Sequence, residues 1–215
     1  MVDFVHTYHI HDPYFPPVDL AARFVDPAYA GRIIGDRDAL ERAMEAEDLG
    51  PGLKGHTRVL ANYWNRVDNA SAEDMEHLRG LYLAALADLD RKVEALFRWL
   101  ETEGHLDQTV VIVTSDHGEE FGEHGKVRHE QLWRECLHVP LMVRLPGDRF
   151  TGQVIDASVR HIDLFASIVD LAGLPDPGLS DIGPSWAAWL GEPSLAAPRP
   201  VYAEHRSKRE SPLDL

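Results

Sequence analysis

The chain has 215 residues, 44% of them hydrophobic, with 21 basic against 36 acidic side chains and a net charge of −15. That length can hold one sizeable α/β domain with a substantial core, and the composition argues against a disordered chain. The acidic balance argues against a nucleic-acid partner, which needs clustered Lys and Arg, and the single cysteine, Cys136, excludes an internal disulfide and any multi-cysteine zinc site.

The first element expected is a strand at "VDFVHTYHI", which alternates and is rich in β-formers. The three prolines of "HDPYFPP" then enforce an extended loop. Residues 18–70 are weakly patterned, with short helices expected around 36–48 and breaks at "GPGLKG"; they read as an irregular insertion or lid. Ser71 with Asp74 fits an N-cap and its return partner. Apolar residues then recur from Leu78 to Leu100 at steps of three and four, which predicts one long amphipathic helix ended by Gly104. "TVVIVTS" predicts a strand apolar on both faces, as covered parallel strands are, and "VPLMVRLP" has the same character. A helix is expected from about His161 to Ala172, closed by Gly173 and Pro175. A short helix near Trp186–Leu190 and a final strand at "PVYAEH" complete the reading.

Strands alternating with helices imply an α/β fold, a mainly parallel sheet covered by helices on both faces. Residues 1–175 are read as the body of the domain and 176–215 as a tail. No apolar run approaches the roughly 20 residues of a spanning helix, so no membrane segment is expected. "MVDFVHTYHIHDPY" lacks the basic start and cleavage site of a signal peptide; as it stands the chain is expected to be soluble and cytoplasmic. It opens as if mid-architecture, which reads as a fragment incomplete at the N-terminal side.

Chemistry concentrates where "VVIVTS" ends. Ligands gather beyond the carboxyl ends of strands in open α/β sheets, and Asp116 and His117 stand there. The adjacent pair offers a carboxylate oxygen and an imidazole nitrogen to one divalent cation, and Gly118 lets the backbone turn tightly. Taken alone, Asp116 also reads, with less weight, as a cap of the next turn. Glu119, Glu120, Glu123, His124 and His129 on the same loop tilt the balance toward a ligand site. Glu123 and His124 themselves read as loop-shaping residues, Tyr82 and Asp90 as packing and helix-anchoring residues, and Cys136 as a buried apolar filler.

"TSDHGEEFGEHG" followed by "HVPLMVRLPG", with "DLFASIVDLAGLPDP" and "VHTYHIHDPYFPP", resembles the sulfatase family of the alkaline-phosphatase superfamily over nearly the whole chain except residues 18–70. The resemblance implies that Asp116 and His117 bind the catalytic divalent metal, usually calcium, with manganese or zinc as alternatives. It implies that His11 of "HDPY" lies beside the leaving-group oxygen. It also implies that His129, thirteen positions after Asp116, touches the sulfate or phosphate. Lys126 and Arg128 are close competitors for that contact, and Glu130 stands where the family usually has glycine.

The family's formylglycine motif, C/S-x-P/A-x-R, is absent, since Cys136 is followed by "LHVP"; so is the family's Asp-Asp metal pair. A covalent mechanism without a nucleophile has no first step, and hard-cation affinity tracks the number of oxygen ligands. The expectation is therefore the C-terminal portion of a metal-dependent sulfuric ester hydrolase, inactive alone, that self-associates or is complemented by an N-terminal half. The alternatives are a phosphoesterase, phosphonate hydrolase or phosphoethanolamine-type transferase of the same superfamily, or a non-catalytic stand-alone remnant.

Overall fold

The computed structural model describes residues 2–45, 55–176, 178 and 183–205. The chain divides into two compact units, one of Met1–Trp99 with Glu120–Arg128, the other of Leu100–Glu119 with His129–Leu215.

The first unit is helical. Its helices are α1 (Val18–Ala21), α2 (Arg37–Glu45), α3 (Gly55–Asp68) and α4 (Ala72–Thr102), the last continuing past Trp99. A small hairpin of β2 (Glu120–Phe121) and β3 (Val127–Arg128) closes it, pairing Glu120 with Arg128 and Phe121 with Val127. Asp36 Oδ1 accepts the Ala39 N–H at 2.7 Å at the start of α2. At the start of α4 the Ser71 N–H donates to Asp74 Oδ2 (2.8 Å) and the Asp74 N–H to Ser71 Oγ (3.2 Å), the reciprocal cap that their spacing predicts. Tyr14, Ile33, Leu40, Val59, Tyr63, Leu78, Leu81 and Phe121 make the core.

Residues 18–70 thus supply Ile33, Leu40, Val59 and Tyr63 to that core. α3 is the element their weak patterning hides: its inward apolar residues, Val59, Tyr63 and Val67, are spaced by four, with the polar Asn62, Asn65 and Arg66 set among them. Of the helix expected around 36–48, residues 37–45 are helical, while 46–48 and most of "GPGLKG" lie outside the described residues. The expected strand at "VDFVHTYHI" is not one. Residues 2–8 carry no strand pairing, and Phe4 and Val5 are 88% and 76% exposed. β-propensity supplies side chains suited to a pleated surface, but a strand exists only where a neighbour takes its backbone hydrogen bonds.

In the second unit β1 (Val111–Thr114) pairs antiparallel with β4 (Leu141–Arg144), Val111 opposite Arg144 and Thr114 opposite Leu141. α5 (Arg134–Leu137) lies between them in sequence and α6 (His161–Leu171) follows. Both pairings among the described residues are antiparallel, in place of the mainly parallel sheet expected, and "PVYAEH" is unpaired. The apolar runs mark β1 and β4 correctly, but a run apolar on both faces does not encode the direction of its neighbour. Both major helices end as their glycines predict. Gly104 (φ 70°) donates to Glu101 O while His105 N–H reaches Leu100 O; Gly173 (φ 65°) donates to Asp170 O while Leu174 N–H reaches Val169 O. Trp186, Trp189, Leu145 and Cys136 are buried. Asp163, fully buried at the start of α6, is held by Arg160 at 2.7 Å and faced by Arg199 at 3.8 Å. No helix among the described residues is long and apolar enough to cross a membrane.

Candidate active site

β1 delivers Thr114 to the surface, and the chain leaves the strand through Ser115, Asp116, His117, Gly118 and Glu119. Several bonds hold this loop. His161 Nε2, at the first residue of α6, lies 2.9 Å from Ser115 O, so that nitrogen carries the proton. Ser115 Oγ donates to His117 O at 2.7 Å. Gly118 N–H donates to Cys136 O at 2.7 Å, and a Cβ on Gly118 would lie 2.0 Å from Glu135 O. Glycine is needed here for close approach to α5, not for the tight turn its sequence context suggests.

Asp116 projects outward, its side chain 70% exposed. Its Oδ1 accepts the His117 N–H at 3.0 Å, and its Oδ2 lies 3.7 Å from His117 Nε2. His117 Nδ1 lies 2.8 Å from Gly118 O. A carbonyl only accepts, so in the neutral ring Nδ1 carries the proton and the lone pair sits on Nε2, the atom turned toward Asp116. Metal-ligating imidazoles are commonly fixed through their other nitrogen in this way. Donor types and tautomer therefore fit two positions of a divalent-ion site. Among the described residues, no group of three or more His, Cys, Asp or Glu is placed to complete one.

His129, thirteen residues on, returns to the same loop. Its ring stacks on His117 with centroids 3.9 Å apart and planes inclined by 22°. Its Nδ1 lies 3.3 Å from Oε1 of Glu119, a carboxylate only 9% exposed. Arg128, the residue before it, adopts φ 74°, a left-handed conformation strained for a non-glycine side chain. Arg128 is held by Asp68 at 2.7 Å and lies over the Trp64 ring at 5.1 Å.

The structure thus brings together Asp116, His117 and His129 in the second unit. His11 and Lys126 fall in the first. Lys126 is exposed in the turn of the β2–β3 hairpin. Glu123 and His124 shape that hairpin: Glu123 bonds Arg79 at 2.9 Å and accepts the Phe121 N–H, while His124 N–H donates to the buried Glu120 at 2.9 Å. Sequence reasoning passes over Glu119 as a partner of His129, and over His161. Nothing local in "RHIDL" ties it to a serine 46 positions earlier.

The solved structures that this chain resembles define its fold class. A phosphonate monoester hydrolase from Silicibacter pomeroyi matches with a TM-score of 0.52 and 25% identity, over 78% of this chain and 32% of that one. A protein solved in complex with its substrate D-glucosamine-2-N,6-O-disulfate matches with a TM-score of 0.55 at 20% identity, over 88% of this chain and 42% of that one. These are sulfatase- and phosphonate-hydrolase-type α/β folds. The sulfatase family model matches residues 3–174, and the chain belongs to the sulfatase family. Among curated relatives, arylsulfatase K of Danio rerio is 32% identical over 134 residues, 61% of this chain and 25% of the relative. N-acetylglucosamine-6-O-sulfatase of Bacteroides thetaiotaomicron is 35% identical over 101 residues, 47% of this chain and 18% of the relative. The chain thus aligns with a quarter or less of the length of these two relatives.

Proposed function

We propose that this chain carries part of the active site of a metal-dependent sulfuric ester hydrolase, with Asp116 and His117 as metal ligands and His129 as the oxyanion contact. The observation that carries this reading is the His117–His129 stack. It sets a side chain of the ligand type, with its tautomer fixed, against a basic side chain anchored by Glu119. A bound divalent ion, calcium before manganese or zinc, would neutralise charge on a tetrahedral oxyanion. Asp116 supplies a hard carboxylate oxygen and His117 the Nε2 lone pair. His129 binds an ester oxygen while Glu119 holds its Nδ1 side. His11 protonates the departing alcohol, and Lys126 adds a second basic group for the same anion. Residues 1–175 form the body of this domain and 176–215 its tail. The mainly parallel sheet belongs to the whole protein, in which neighbouring strands accompany β1 and β4.

Titration of calcium and manganese by calorimetry into the wild type and Asp116→Asn tests this. Two protein ligands predict weak binding, on the order of 10⁻⁴–10⁻³ M, lost in Asp116→Asn. Equal binding by both proteins would remove the basis of the reading. A second reading, a phosphonate or phosphate ester hydrolase, is favoured by the Silicibacter pomeroyi structure. Competition of inorganic sulfate against methylphosphonate for the metal-loaded chain separates the two.

A further inference from the structure

The helix hidden in residues 18–70 touches the loop that carries His11. Trp64, on α3, donates its indole N–H to Asp12 Oδ2 at 2.7 Å across 52 positions of sequence. The Asp12 side chain is only 6% exposed, and its other oxygen, Oδ1, lies 3.0 Å from His11 Nδ1. The Asp12 backbone oxygen lies 2.7 Å from the same nitrogen. Two acceptors converge on His11 Nδ1, so in the neutral ring the proton sits there and the lone pair is on Nε2. Free imidazole has no such fixed choice. The π-face of Trp64 receives the Arg128 guanidinium, 5.1 Å from the ring centroid. The indole therefore ties the His11 loop and the end of β3 to one helix.

We infer that Trp64 is a positioning residue for His11, acting through Asp12. The indole N–H pins one carboxylate oxygen, and the other oxygen and the Asp12 peptide fix the ring's tautomer, with Nε2 as the atom for proton transfer. The arrangement repeats the physical logic of an acid–imidazole pair, in which a buried carboxylate orients the ring and stabilises its protonated form without taking the proton itself. It gives α3 a role beyond packing. The inference rests on the reading of His11 as the group beside the leaving oxygen, and it is tested independently of activity.

The probe is the pair of His11 ring nitrogens, observed by ¹⁵N NMR in the 215-residue chain at a pH where the imidazole is neutral. The wild type is expected to show the Nδ1–H tautomer. Trp64→Phe keeps an aromatic ring for Arg128 but removes the indole donor. The Nε2–H form is then expected to rise roughly tenfold relative to Nδ1–H, the worth of one hydrogen bond to a charged group. Asp12→Asn, whose amide cannot serve both neighbours as an acceptor, should move the tautomer the same way and shift the Trp64 indole proton. It also decides the matter should Trp64→Phe fail to fold. A ring that merely sits in a well-packed loop would keep its tautomer in both variants, and that result overturns the inference. Should the tautomer move as expected while Asp116→Asn still binds metal like the wild type, the positioning stands and the hydrolase reading falls.

Discussion

The rings of His117 and His129 lie face to face, 3.9 Å between centroids, and each is fixed by a different partner: His117 by the Gly118 carbonyl, His129 by the Glu119 carboxylate. Separate anchors mean that one ring can be removed without releasing the other. In His129→Ala, His117 should keep its Nδ1–H tautomer while its ring proton signals shift as the stacked neighbour disappears. Inorganic sulfate should bind the metal-loaded chain about tenfold or more weakly, since a hydrogen bond to a charged group is worth about 1.5–3 kcal/mol. Unchanged sulfate affinity in a titration would show that His129 does not face the anion.

Asp74, at the start of α4, sets a pH dependence. Burial pushes its carboxyl up, but hydrogen bonds from the Tyr29 hydroxyl, the Ser71 N–H, the Arg32 N–H and the Ser71 hydroxyl more than offset this and hold it at about 2, against an ordinary 3.8. The folded-state value is the lower one, so the stabilisation is fully present above pH 4 and is lost as pH falls toward 2. The difference is worth about 2 kcal/mol. Tyr29 mirrors this: burial and the bond to Asp74 push its hydroxyl up to about 12, so its share persists below pH 10 and is lost between 10 and 12. Both limbs share the Tyr29–Asp74 hydrogen bond, so their energies are not additive. Chemical denaturation of wild type and Asp74→Asn across pH 2–5 should show the acid limb flattened in the variant. Parallel curves would exclude Asp74 as its source.

Gly118→Ala should be costly. The added carbon would lie 2.0 Å from Glu135 O and 3.0 Å from Glu135 C, both backbone atoms with no rotamer to yield. Either the loop or α5 must move, at a cost of about 1–3 kcal/mol, and a lowering of the melting temperature on the order of 5 °C follows for a chain of this size. A variant melting with the wild type in calorimetry would mean that the 115–119 loop is not held against α5.

What is legible in the sequence is what is encoded locally. Ser71 and Asp74 cap α4 because a three-residue spacing fixes both bonds. Gly104 and Gly173 end their helices because a left-handed residue there satisfies the last carbonyls. The concentration of ligand-type residues at 116–129 marks the loop where His117 and His129 meet. The pairing of β1 with β4 in the antiparallel sense has no such local code, nor does the failure of residues 2–8 to pair. His161 with Ser115 and Trp64 with Asp12 are contacts across 46 and 52 positions. Such contacts are created by tertiary packing, and the motif around each residue carries no trace of its partner.

Residues 2–8 lead to the last prediction. Phe4, His6 and Tyr8 form a ladder on one side, with ring centroids 6.0 and 4.7 Å apart, and Phe4 and Tyr8 are 88% and 70% exposed. Val2 and Val5 are 60% and 76% exposed as well. No strand among the described residues pairs with the segment, and exposed apolar side chains on an unpaired stretch are what natural edge strands avoid with charge or proline. A net charge of −15 opposes association at long range, but salt screens that repulsion beyond about 10 Å at 0.1 M. The chain is therefore expected to self-associate, and more strongly as salt rises. Lysines at Phe4 and Tyr8 would place charge on the ladder without touching the core of either unit. Light scattering at 0.05 and 0.5 M salt should show association in the wild type, increasing with salt, and a monomer for Phe4→Lys/Tyr8→Lys. A wild type that stays monomeric at both salt concentrations would contradict the expectation; association that persists in the lysine variant would place the contact elsewhere.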